Sequence, residues 1–322
     1  MDRNLALNLA RVTEAAALAS AKFLGRGDKN AADQAAVDAM RRMFDTVNID
    51  GRVVIGEGEM DEAPMLYIGE QIGKAGEKSI KIDIAVDPLD GTNSVAFGRP
   101  EAVSVVAISP KGTMLHAPDT YMNKIAVGPK AAGKIDIRWP IEDNIRAVAK
   151  ALDKDISEVT VTILDRPRHD EIVARIRKLG SRIKMITDGD VIAAINTCFE
   201  DTGVDMMVGI GGAPEGVITA AALKCMGGEI QGILMPITDD QKRRCSEMGC
   251  ELDRVYHTDD LVSGDEMVFA ATGVSRGELL RGVNYLENNM ATTHTLVLRM
   301  ETGTIRFIEA THKLDLKPEY AQ

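Results

Sequence analysis

Residues 80–92 read IKIDIAVDPLDGT, an apolar run that leads directly into a turn bearing two carboxylates. The run Ile80–Val86 predicts a buried β-strand. Pro88 fixes its own φ angle and cannot extend a hydrogen-bond ladder. The pattern therefore predicts that Asp87 and Asp90 are held on a rigid turn at the end of a strand.

The composition of this turn favours binding of a cation and a phosphate. Two aspartates three residues apart can share or bridge hard divalent cations, which prefer oxygen ligands. Gly91 allows the backbone to come close to a ligand, and Thr92 opens a predicted helix over Asn93–Phe97 whose first amides would attract phosphate. For the segment taken by itself, an Asx-type turn with a threonine cap is the alternative.

Two further acidic positions are candidates for metal binding. Glu57 belongs to the acidic cluster Gly56–Glu62, which follows the strand-like Arg52–Ile55, and the flanking glycines predict a tight loop at another strand end. A solvated acidic loop is the alternative. Asp33 lies on a helical stripe of apolar residues, and a carboxylate buried there needs a partner, a hydrogen bond or a metal. Helix capping is the alternative for Asp33. The apolar residues of the stripe are Ala36, Val37, Met40 and Phe44.

The segment Gly209–Gly216 reads GIGGAPEG, follows the strand-like Val204–Val208 and opens a predicted helix at Val217–Cys225. Its glycines between a strand and a helix resemble a dinucleotide-binding loop. However, Pro214 occupies the third glycine position of the G-x-G-x-x-G pattern. Glu215 would also repel a pyrophosphate. An acidic residue at this place suits a cation better.

An anionic substrate would need local cations, because the chain carries a net charge of −11. Arg166 and Arg168 follow a predicted strand and can bind a phosphate bidentately, with ordinary surface charge as the alternative. Asp188 and Asp190 follow the next predicted strand, at the sheet edge where α/β proteins bind ligands, with helix capping as the alternative. Among the histidines only His169 neighbours these residues, and no histidine motif for zinc occurs.

Two regimes follow one another along the chain. Up to about Lys134, two helices precede apolar runs separated by Gly/Pro turns, which is typical of an α+β lobe. From Val159 strands and helices alternate, which predicts a parallel sheet covered by helices. We place an N-terminal α+β lobe with the metal site at residues 1–138 and a C-terminal α/β lobe with the substrate-binding loops at 139–322. A polar loop is predicted at Asp239–Glu251. The alternating segments are strand Val159–Leu164, helix Asp170–Leu179, strand Arg182–Ile186, helix Val191–Phe199 and strand Val204–Ile210.

The composition excludes several classes of protein. Of the 322 residues, 45% are hydrophobic and 27% charged, and no apolar run approaches the roughly 20 residues that span a bilayer. The negative net charge argues against broad contact with nucleic acid or an anionic membrane. The four cysteines form no C-x-x-C unit, so reduced thiols are expected.

The N-terminal region raises the question of a signal peptide, because Ala15–Ala21 is apolar and rich in small residues. A helix is the better interpretation, since apolar residues recur at spacings of three and four and polar residues interrupt the run. We therefore expect an amphipathic helix and a cytoplasmic protein. The recurring apolar residues are Leu5, Leu9, Val12, Ala16, Ala19 and Phe23.

Taken together, these segments resemble the lithium-sensitive, metal-dependent phosphatase superfamily of inositol monophosphatases and fructose-1,6-bisphosphatases, whose signature is D-P-[IL]-D-G-T. Four further segments are similar to class II fructose-1,6-bisphosphatases, the bacterial type. The similarity runs from the first helix to about Ala271. It implies an α/β fold, a layered αβαβα sandwich, and cleavage of the 1-phosphate of fructose 1,6-bisphosphate with Mg²⁺ or Mn²⁺. The four segments are Val53–Glu70, Leu115–Met122, Arg166–His169 and Asp188–Asp190.

The resemblance also implies roles for individual residues. Thr92, paired with Asp33, would position and deprotonate the attacking water, while metal ions neutralise the phosphate oxygens. The implied metal ligands are Asp33, Glu57, Asp87, Asp90 and Glu215. The implied substrate contacts are Asp90, Gly91, Thr92, Tyr121, Arg166, Arg168, Asp188, Asp190 and Gly212.

The chain departs from the class II pattern at two of these positions. Many class II enzymes carry glutamate in place of Asp90, and some carry lysine in place of Arg166. The first departure is shared with cyanobacterial enzymes that also accept sedoheptulose 1,7-bisphosphate, so we expect some activity on that substrate as well.

Other functions remain open at the level of sequence. Within the superfamily, the alternatives are an inositol monophosphatase and a nucleotide 3′-phosphatase. From other classes, they are a dinucleotide-binding oxidoreductase that uses Gly209–Gly216 and a non-catalytic module that senses a metal or nucleotide. We expect a small-molecule sugar bisphosphate as the binding partner, no nucleic acid or membrane, and a homo-oligomer, either dimer or tetramer.

Overall fold

A computed structural model describes residues 1, 4–58, 65–76 and 79–321 of the chain. The α-helices of these residues are α1 Leu5–Ala21, α2 Lys29–Phe44, α3 Thr92–Ala96, α4 Ile141–Leu152, α5 Asp170–Leu179, α6 Val191–Ile195, α7 Ala213–Met226, α8 Asp239–Glu247 and α9 Thr258–Leu261. The strands are β1 Asp50–Ile55, β2 Gln71–Ile72, β3 Lys81–Asp90, β4 Val103–Pro110, β5 Tyr121–Val127, β6 Thr160–Leu164, β7 Arg182–Ile186, β8 Met206–Gly212, β9 Glu229–Met235, β10 Tyr256–His257, β11 Val268–Gly273, β12 Asn284–Leu286, β13 Met290–Arg299 and β14 Thr304–Lys313.

The chain divides into two compact units, each with its own mixed sheet, so the predicted α/β fold class is confirmed. The first unit comprises Met1–Met114 and Gly264–Gln322, and the second comprises Leu115–Ser263. The boundary placed between residues 138 and 139 thus falls inside the second unit. The C-terminal strands belong to the first unit because β11 pairs with both β4 and β13, an association that local sequence does not reveal.

The first unit is built on a sheet of order β12-β13-β11-β4-β3-β1-β2, with β14 paired to β13. Strands β1 and β3 are parallel, and the other pairs are antiparallel. Apolar residues of helices α1 and α2 join those of the sheet in one core, which confirms the predicted helix at the N-terminus. Its expected amphipathic character was wrong, because every residue from Val12 to Ala21 is buried, polar ones included. Phe44 and Met40 at the end of α2 are fully buried there.

Pro88 lies inside β3, not in a turn after it. The pairing of β3 with β4 is regular as far as Asp87 opposite Val105 and resumes at Asp90 opposite Val103. Two residues of β3, Pro88 and Leu89, therefore face one residue of β4, Ser104, which is a β-bulge, the place where a central strand tolerates proline. The prediction of a turn at Asp87 was wrong in this respect, because the strand continues through the bulge.

The bulge changes which side chains share a face. In a regular strand, residues three apart lie on opposite faces of the sheet. Val103 and Val105 are two apart and share a face, so Asp87 and Asp90 opposite them share that face as well. The Leu89 N–H, which lacks a ladder partner at this point, donates to Asp87 Oδ1 at 3.0 Å.

The second unit is built on a sheet of order β10-β9-β5-β8-β6-β7. Only β6, β7 and β8 are parallel, and β5, β9 and β10 run antiparallel to their neighbours. The expected parallel arrangement is therefore correct for the three strands on which the prediction rested, and β5, β9 and β10 extend the same sheet as antiparallel strands. Apolar residues of α4, α5 and the strands form the core of this unit.

Several predicted elements of the second unit end at different residues in the structure. The helix expected at Val217–Cys225 begins four residues earlier in α7, and the helix expected at Val191–Phe199 ends at Ile195 and continues as a 3₁₀ turn. The polar loop expected at Asp239–Glu251 contains helix α8. A capping box between Thr238 and Gln241 explains this helix, since it satisfies first-turn amides that water would otherwise have to satisfy. Within the described residues, no helix is long and apolar enough to cross a membrane.

Helix α1 carries a buried carboxyl group, that of Glu14. Glu14 is largely buried in the helix, and burial raises the pKa of its carboxyl, although Lys317 and a hydrogen bond from Thr293 act in the opposite direction. The Thr293 hydroxyl is also 2.8 Å from His312 Nε2 on β14. Burial, with a smaller contribution from the charge of Lys317, lowers the pKa of His312 to about 4.

The imidazole of His312 is therefore neutral in the folded protein, and protonation opposes folding. Because the unfolded imidazole titrates near 6.5, this contribution to stability is complete above that pH and is lost as the pH falls from 6.5 towards 4. We expect urea unfolding to show that the free energy of unfolding of the wild-type protein falls by about 2 kcal/mol between pH 7 and pH 5. His312→Gln should lack this decrease. Equal pH dependence in the two proteins would contradict a buried neutral imidazole.

Candidate active site

The first unit places predicted metal ligands at one edge of its sheet. Strands β1 and β3 are parallel, with Ile55 of β1 opposite Ala85 of β3. Glu57 lies two residues beyond the first member of this pair, and Asp87 lies two residues beyond the second. Because carboxyl ends of parallel strands meet at the same edge, Glu57 and Asp87 follow adjacent strand ends at this edge, and their joint binding of a metal stays a prediction.

The backbone around Glu57 is closely packed. A Cβ on Gly56 would meet the Leu66 carbonyl oxygen at 2.0 Å, and the Glu57 N–H donates to this same oxygen at 3.0 Å. Gly58 has a φ of 124°, and its carbonyl accepts from Ile68 N–H at 2.9 Å. The flanking glycines therefore make a tight loop, as their pattern predicted. The remaining acidic residues of the cluster, Glu59, Asp61 and Glu62, lie outside the described residues.

Asp33 lies near the start of α2, which packs against β3 and α3. Its side chain is half-buried, and burial raises the pKa of its carboxyl. The helix is capped by Asp28, whose carboxylate accepts from Ala31 N–H at 3.0 Å, so capping does not account for Asp33. Thr92 begins α3 after Gly91, whose φ of 98° is one that glycine favours. The pairing of Thr92 with Asp33 stays a prediction.

The second unit brings its predicted substrate contacts together at one edge of its own sheet. The parallel strands β6, β7 and β8 end at this edge, and antiparallel β5 begins there with Tyr121 opposite Gly212. Arg166 and Asp188, which follow β6 and β7, form an ion pair at 3.5 Å. The guanidinium carbon of Arg168 lies 5.0 Å from the centre of the Tyr121 ring.

Backbone contacts hold the loop that carries the arginines. Arg168 donates through Nε and Nη2 to the Ile210 carbonyl at 3.2 and 2.7 Å. The adjacent His169 is buried, with Nδ1 donating to the Leu164 carbonyl at 2.7 Å and Nε2 accepting from Ile210 N–H at 2.8 Å. Burial lowers the pKa of His169, in agreement with this neutral tautomer. Both ring nitrogens are engaged, so His169 positions the loop and is unavailable for proton transfer.

The structure adds a cation that the sequence analysis missed. Lys124 lies in the middle of β5, with its side chain fully buried, and its ammonium nitrogen is 2.6 Å from Asp190 Oδ2. It also donates to the Gly212 carbonyl at 3.0 Å. Asp190 is the N-cap residue of α6 by position, but its side chain makes no capping bond, so its partner is the lysine. The available signal was a lysine inside the apolar strand-like run YMNKIAV.

The glycines of Gly209–Gly212 belong to strand β8 and not to a loop, which corrects the interpretation of this segment. A Cβ on Gly211 would meet Asp190 Oδ2 at 2.1 Å, and a Cβ on Gly212 would meet Glu215 Oε2 at 1.7 Å. These glycines therefore provide the space in which two carboxylates lie against the strand.

Glu215 is the best candidate for cation binding in the second unit. The residue as a whole is half-buried, but its Oε2 is inaccessible and has no hydrogen-bond partner among the described residues. Burial raises the pKa of its carboxyl, Lys124 lowers it, and the negative charges of Asp190 and Asp119 raise it further. A buried carboxylate oxygen without a donor fits a hard divalent cation, which would compensate its desolvation.

The complete metal centre stays a prediction. Within the described part of the chain, no three His, Cys, Asp or Glu side chains are grouped closely enough to hold a metal ion as they stand. The residues that fit such an ion by chemistry are the predicted carboxylates Asp33, Glu57, Asp87, Asp90 and Glu215, which supply oxygen ligands.

Comparison with known proteins decides the family. The profile described as "Bacterial fructose-1,6-bisphosphatase, glpX-encoded" matches residues 3–312. The chain belongs to this family. It is also 49% identical over 330 aligned residues to fructose-1,6-bisphosphatase 1 class 2 of Escherichia coli strain K12, covering 98% of this chain and 97% of the relative. The class 2 enzymes of Escherichia coli O6:H1 and Shigella flexneri match with the same identity and coverage.

Membership of the class II fructose-1,6-bisphosphatase family confirms the resemblance seen in the sequence and the prediction of a phosphoric monoester hydrolase. The match includes both acidic segments of the first unit and the strand edge of the second. The family match does not favour the alternative functions, which were another phosphatase of the superfamily and a dinucleotide-binding oxidoreductase.

Gly212→Ala tests whether Glu215 binds metal. The φ of −68° at Gly212 suits alanine, so the effect should come from the new methyl group, which forces the Glu215 carboxylate to move. We expect the metal concentration for half-maximal activity to rise about 10- to 100-fold, the usual cost of disturbing a ligand's support. Gly76→Ala is the control, because its Cβ would lie 3.7 Å from Ser79 Oγ. An unchanged metal requirement in Gly212→Ala would remove Glu215 from the ligand set.

Proposed function

We infer that the protein hydrolyses the 1-phosphate of fructose 1,6-bisphosphate, giving fructose 6-phosphate and phosphate, a reaction of gluconeogenesis. Family membership supports this reaction, and one structural observation carries the assignment to residues. The predicted substrate contacts of the second unit lie at one sheet edge and are linked by ion pairs, stacking and hydrogen bonds. This edge combines two arginines for a phosphate with polar groups for a sugar.

The reaction is metal-dependent, as it is in the family. We propose Mg²⁺ or Mn²⁺, because the predicted ligands Asp33, Glu57, Asp87, Asp90 and Glu215 offer only carboxylate oxygens. When bound, such ions would neutralise phosphate oxygens and stabilise the departing alkoxide. The protein's own contribution is to hold these carboxylates on the bulged end of β3, the loop after β1 and the starts of α2 and α7.

Thr92 and Asp33 are proposed to handle the attacking water. Asp33 is well suited to accept a proton, because its half-buried position raises the pKa of the carboxyl towards the working pH. The Thr92 hydroxyl would orient the water at the start of α3, and Gly91 lets the backbone approach the substrate. The packing of α2 against α3 supports a shared role for these side chains.

The distal 6-phosphate is assigned to Arg166 and Arg168. Arg168 is already oriented by its two bonds to the Ile210 carbonyl and by the Tyr121 ring, so little side-chain entropy is lost when phosphate binds. Arg166 is in contact with Asp188, a partner that a phosphate could replace or share. Remote binding of this kind orients the reacting phosphate at the metal centre.

Two finer points extend the proposal. Sedoheptulose 1,7-bisphosphate has one carbon more, which moves the distal phosphate without removing it, and the aspartate at position 90 supports activity on this substrate through the resemblance to cyanobacterial enzymes. We also propose a homo-oligomer, a dimer or tetramer, which light scattering of the purified protein would test.

Phosphate release from a panel of substrates tests the function directly. With Mg²⁺ or Mn²⁺ we expect fructose 1,6-bisphosphate to be cleaved far faster than fructose 1-phosphate, inositol phosphate or a nucleotide 3′-phosphate. Excess EDTA should abolish release, because the site has only hard-metal ligands. Undiminished turnover in EDTA would refute the metal centre, and preference for inositol phosphate would refute the substrate.

Arg168→Ala tests the distal phosphate site. A charge-assisted bond is worth roughly 1.5–3 kcal/mol, so kcat/KM for fructose 1,6-bisphosphate should fall about 10- to 100-fold, while slow hydrolysis of fructose 1-phosphate stays nearly unchanged. Arg254→Ala is a matched control, because Arg254 lies over Tyr256 at 5.1 Å as Arg168 lies over Tyr121. Equal losses on both substrates would place Arg168 at the reacting phosphate instead.

A further inference from the structure

Lys124 has an environment unusual for a lysine. Its side chain is fully buried in the centre of a sheet, where an unpaired ammonium would be very unfavourable. Its neighbours across the sheet are Gly209 on β8 and Gly232 on β9, so neither adjacent residue at its level carries a side chain. A Cβ on Gly211 would lie 3.0 Å from the Lys124 ammonium nitrogen and 2.1 Å from Asp190 Oδ2, so the missing side chain at Gly211 leaves room for both groups.

The ammonium joins two groups that come from different parts of the chain. It pairs with Asp190 Oδ2 at 2.6 Å, just beyond β7, and donates to the Gly212 carbonyl at 3.0 Å, at the end of β8. Asp190 is itself nearly fully buried, and its Oδ2 lies where Gly211 has no side chain. Both partners are predicted substrate contacts, whereas the buried lysine cannot reach a substrate in solvent.

We propose that Lys124 is a positioning residue for the phosphatase reaction, which acts through Asp190 by fixing its carboxylate in one arrangement for the sugar. The proposal rests on the function proposed above. The ion pair occupies Oδ2, so Asp190 uses Oδ1 to accept a hydroxyl of the sugar. The lysine thereby converts a mobile carboxylate into an oriented acceptor, and the direct contact with substrate is left to Asp190.

A simpler account is that the pair only stabilises the fold. A second ion pair of this unit, in which a partly exposed lysine contacts a buried carboxylate, tests that account. Lys154 is 2.6 Å from Asp205, another largely buried carboxylate, and this pair lies among Gly128, Thr197 and Val204, residues to which no role in the reaction is assigned. Lys124→Met and Lys154→Met each remove an ammonium from a buried carboxylate. Both should lower Tm, because a charge is left unpaired.

The two variants should differ in catalysis. For Lys124→Met we expect kcat/KM for fructose 1,6-bisphosphate to fall on the order of 100-fold, as expected for a misplaced contact group. Lys154→Met should retain the wild-type value within about twofold, since its pair has no part in positioning substrate. Wild-type kcat/KM in folded Lys124→Met would overturn the proposal, and so would equal losses in the two variants.

A double-mutant cycle with Asp190→Asn keeps the test decisive even if Lys124→Met folds poorly. The double variant Lys124→Met/Asp190→Asn contains no unpaired charge at this place, so it should fold at least as well as Lys124→Met. If the lysine acts through Asp190, the double variant has the same kcat/KM as Asp190→Asn alone. A further tenfold loss in the double variant would show that Lys124 acts by another route and would refute the proposal. Failure of the wild-type protein to hydrolyse fructose 1,6-bisphosphate would instead refute the function.

Discussion

Pro88 is a residue without an N–H inside β3, a strand that has neighbours on both sides. The pairing with β4 accommodates this proline by a bulge. At the bulge the Asp87 carboxylate accepts a hydrogen bond from the Leu89 N–H. Because the bulge adds one residue, Asp87 and Asp90 lie on one face, which a regular strand with the same spacing would not allow. The acidic character of this sheet edge depends on that irregularity, and the adjacent parallel strand β1 brings Glu57 to the same edge.

The second unit meets a different constraint, which is the cost of burying charge. Lys124, Asp190 and the Oε2 atom of Glu215 are held where water has little or no access, at the junction of β5, β8 and α7. The lysine and Asp190 compensate each other, while Glu215 Oε2 has no donor among the described groups. An arrangement of this kind is poor for stability alone, because apolar side chains would be cheaper to bury. It is consistent with a site whose charges serve binding.

Glycine has a particular role in both sheet edges. At Gly56 the backbone of another segment occupies the space of a side chain, and at Gly211 and Gly212 carboxylates occupy it. The glycine-rich run of β8 is thus explained by packing against acidic side chains rather than by a phosphate in a loop. His169 is likewise explained by its contacts with the backbone. It neighbours the arginines in sequence, but both of its ring nitrogens form hydrogen bonds with backbone groups.

Local sequence alone determined much of this protein. The alternation of apolar residues located α5, β6 and β7 closely, because helical and strand periods are visible over short windows. The acidic turn, the glycine-flanked Glu57 and the paired arginines were recognisable from residue type and from resemblance to one family. The family match bears out that resemblance, since it extends over residues 3–312.

Tertiary structure decided what depends on contacts between distant segments. The return of β11, β13 and β14 to the first sheet follows from strand pairing over more than 150 residues of chain, as between Val268 and Ile108, and no local pattern encodes it. Helix α8 was missed because its capping box outweighs its polar composition. Lys124 was missed because a lysine in a strand normally faces solvent. Its burial becomes favourable only when the carboxylate of Asp190, which lies 66 positions further along the chain, pairs with its ammonium group.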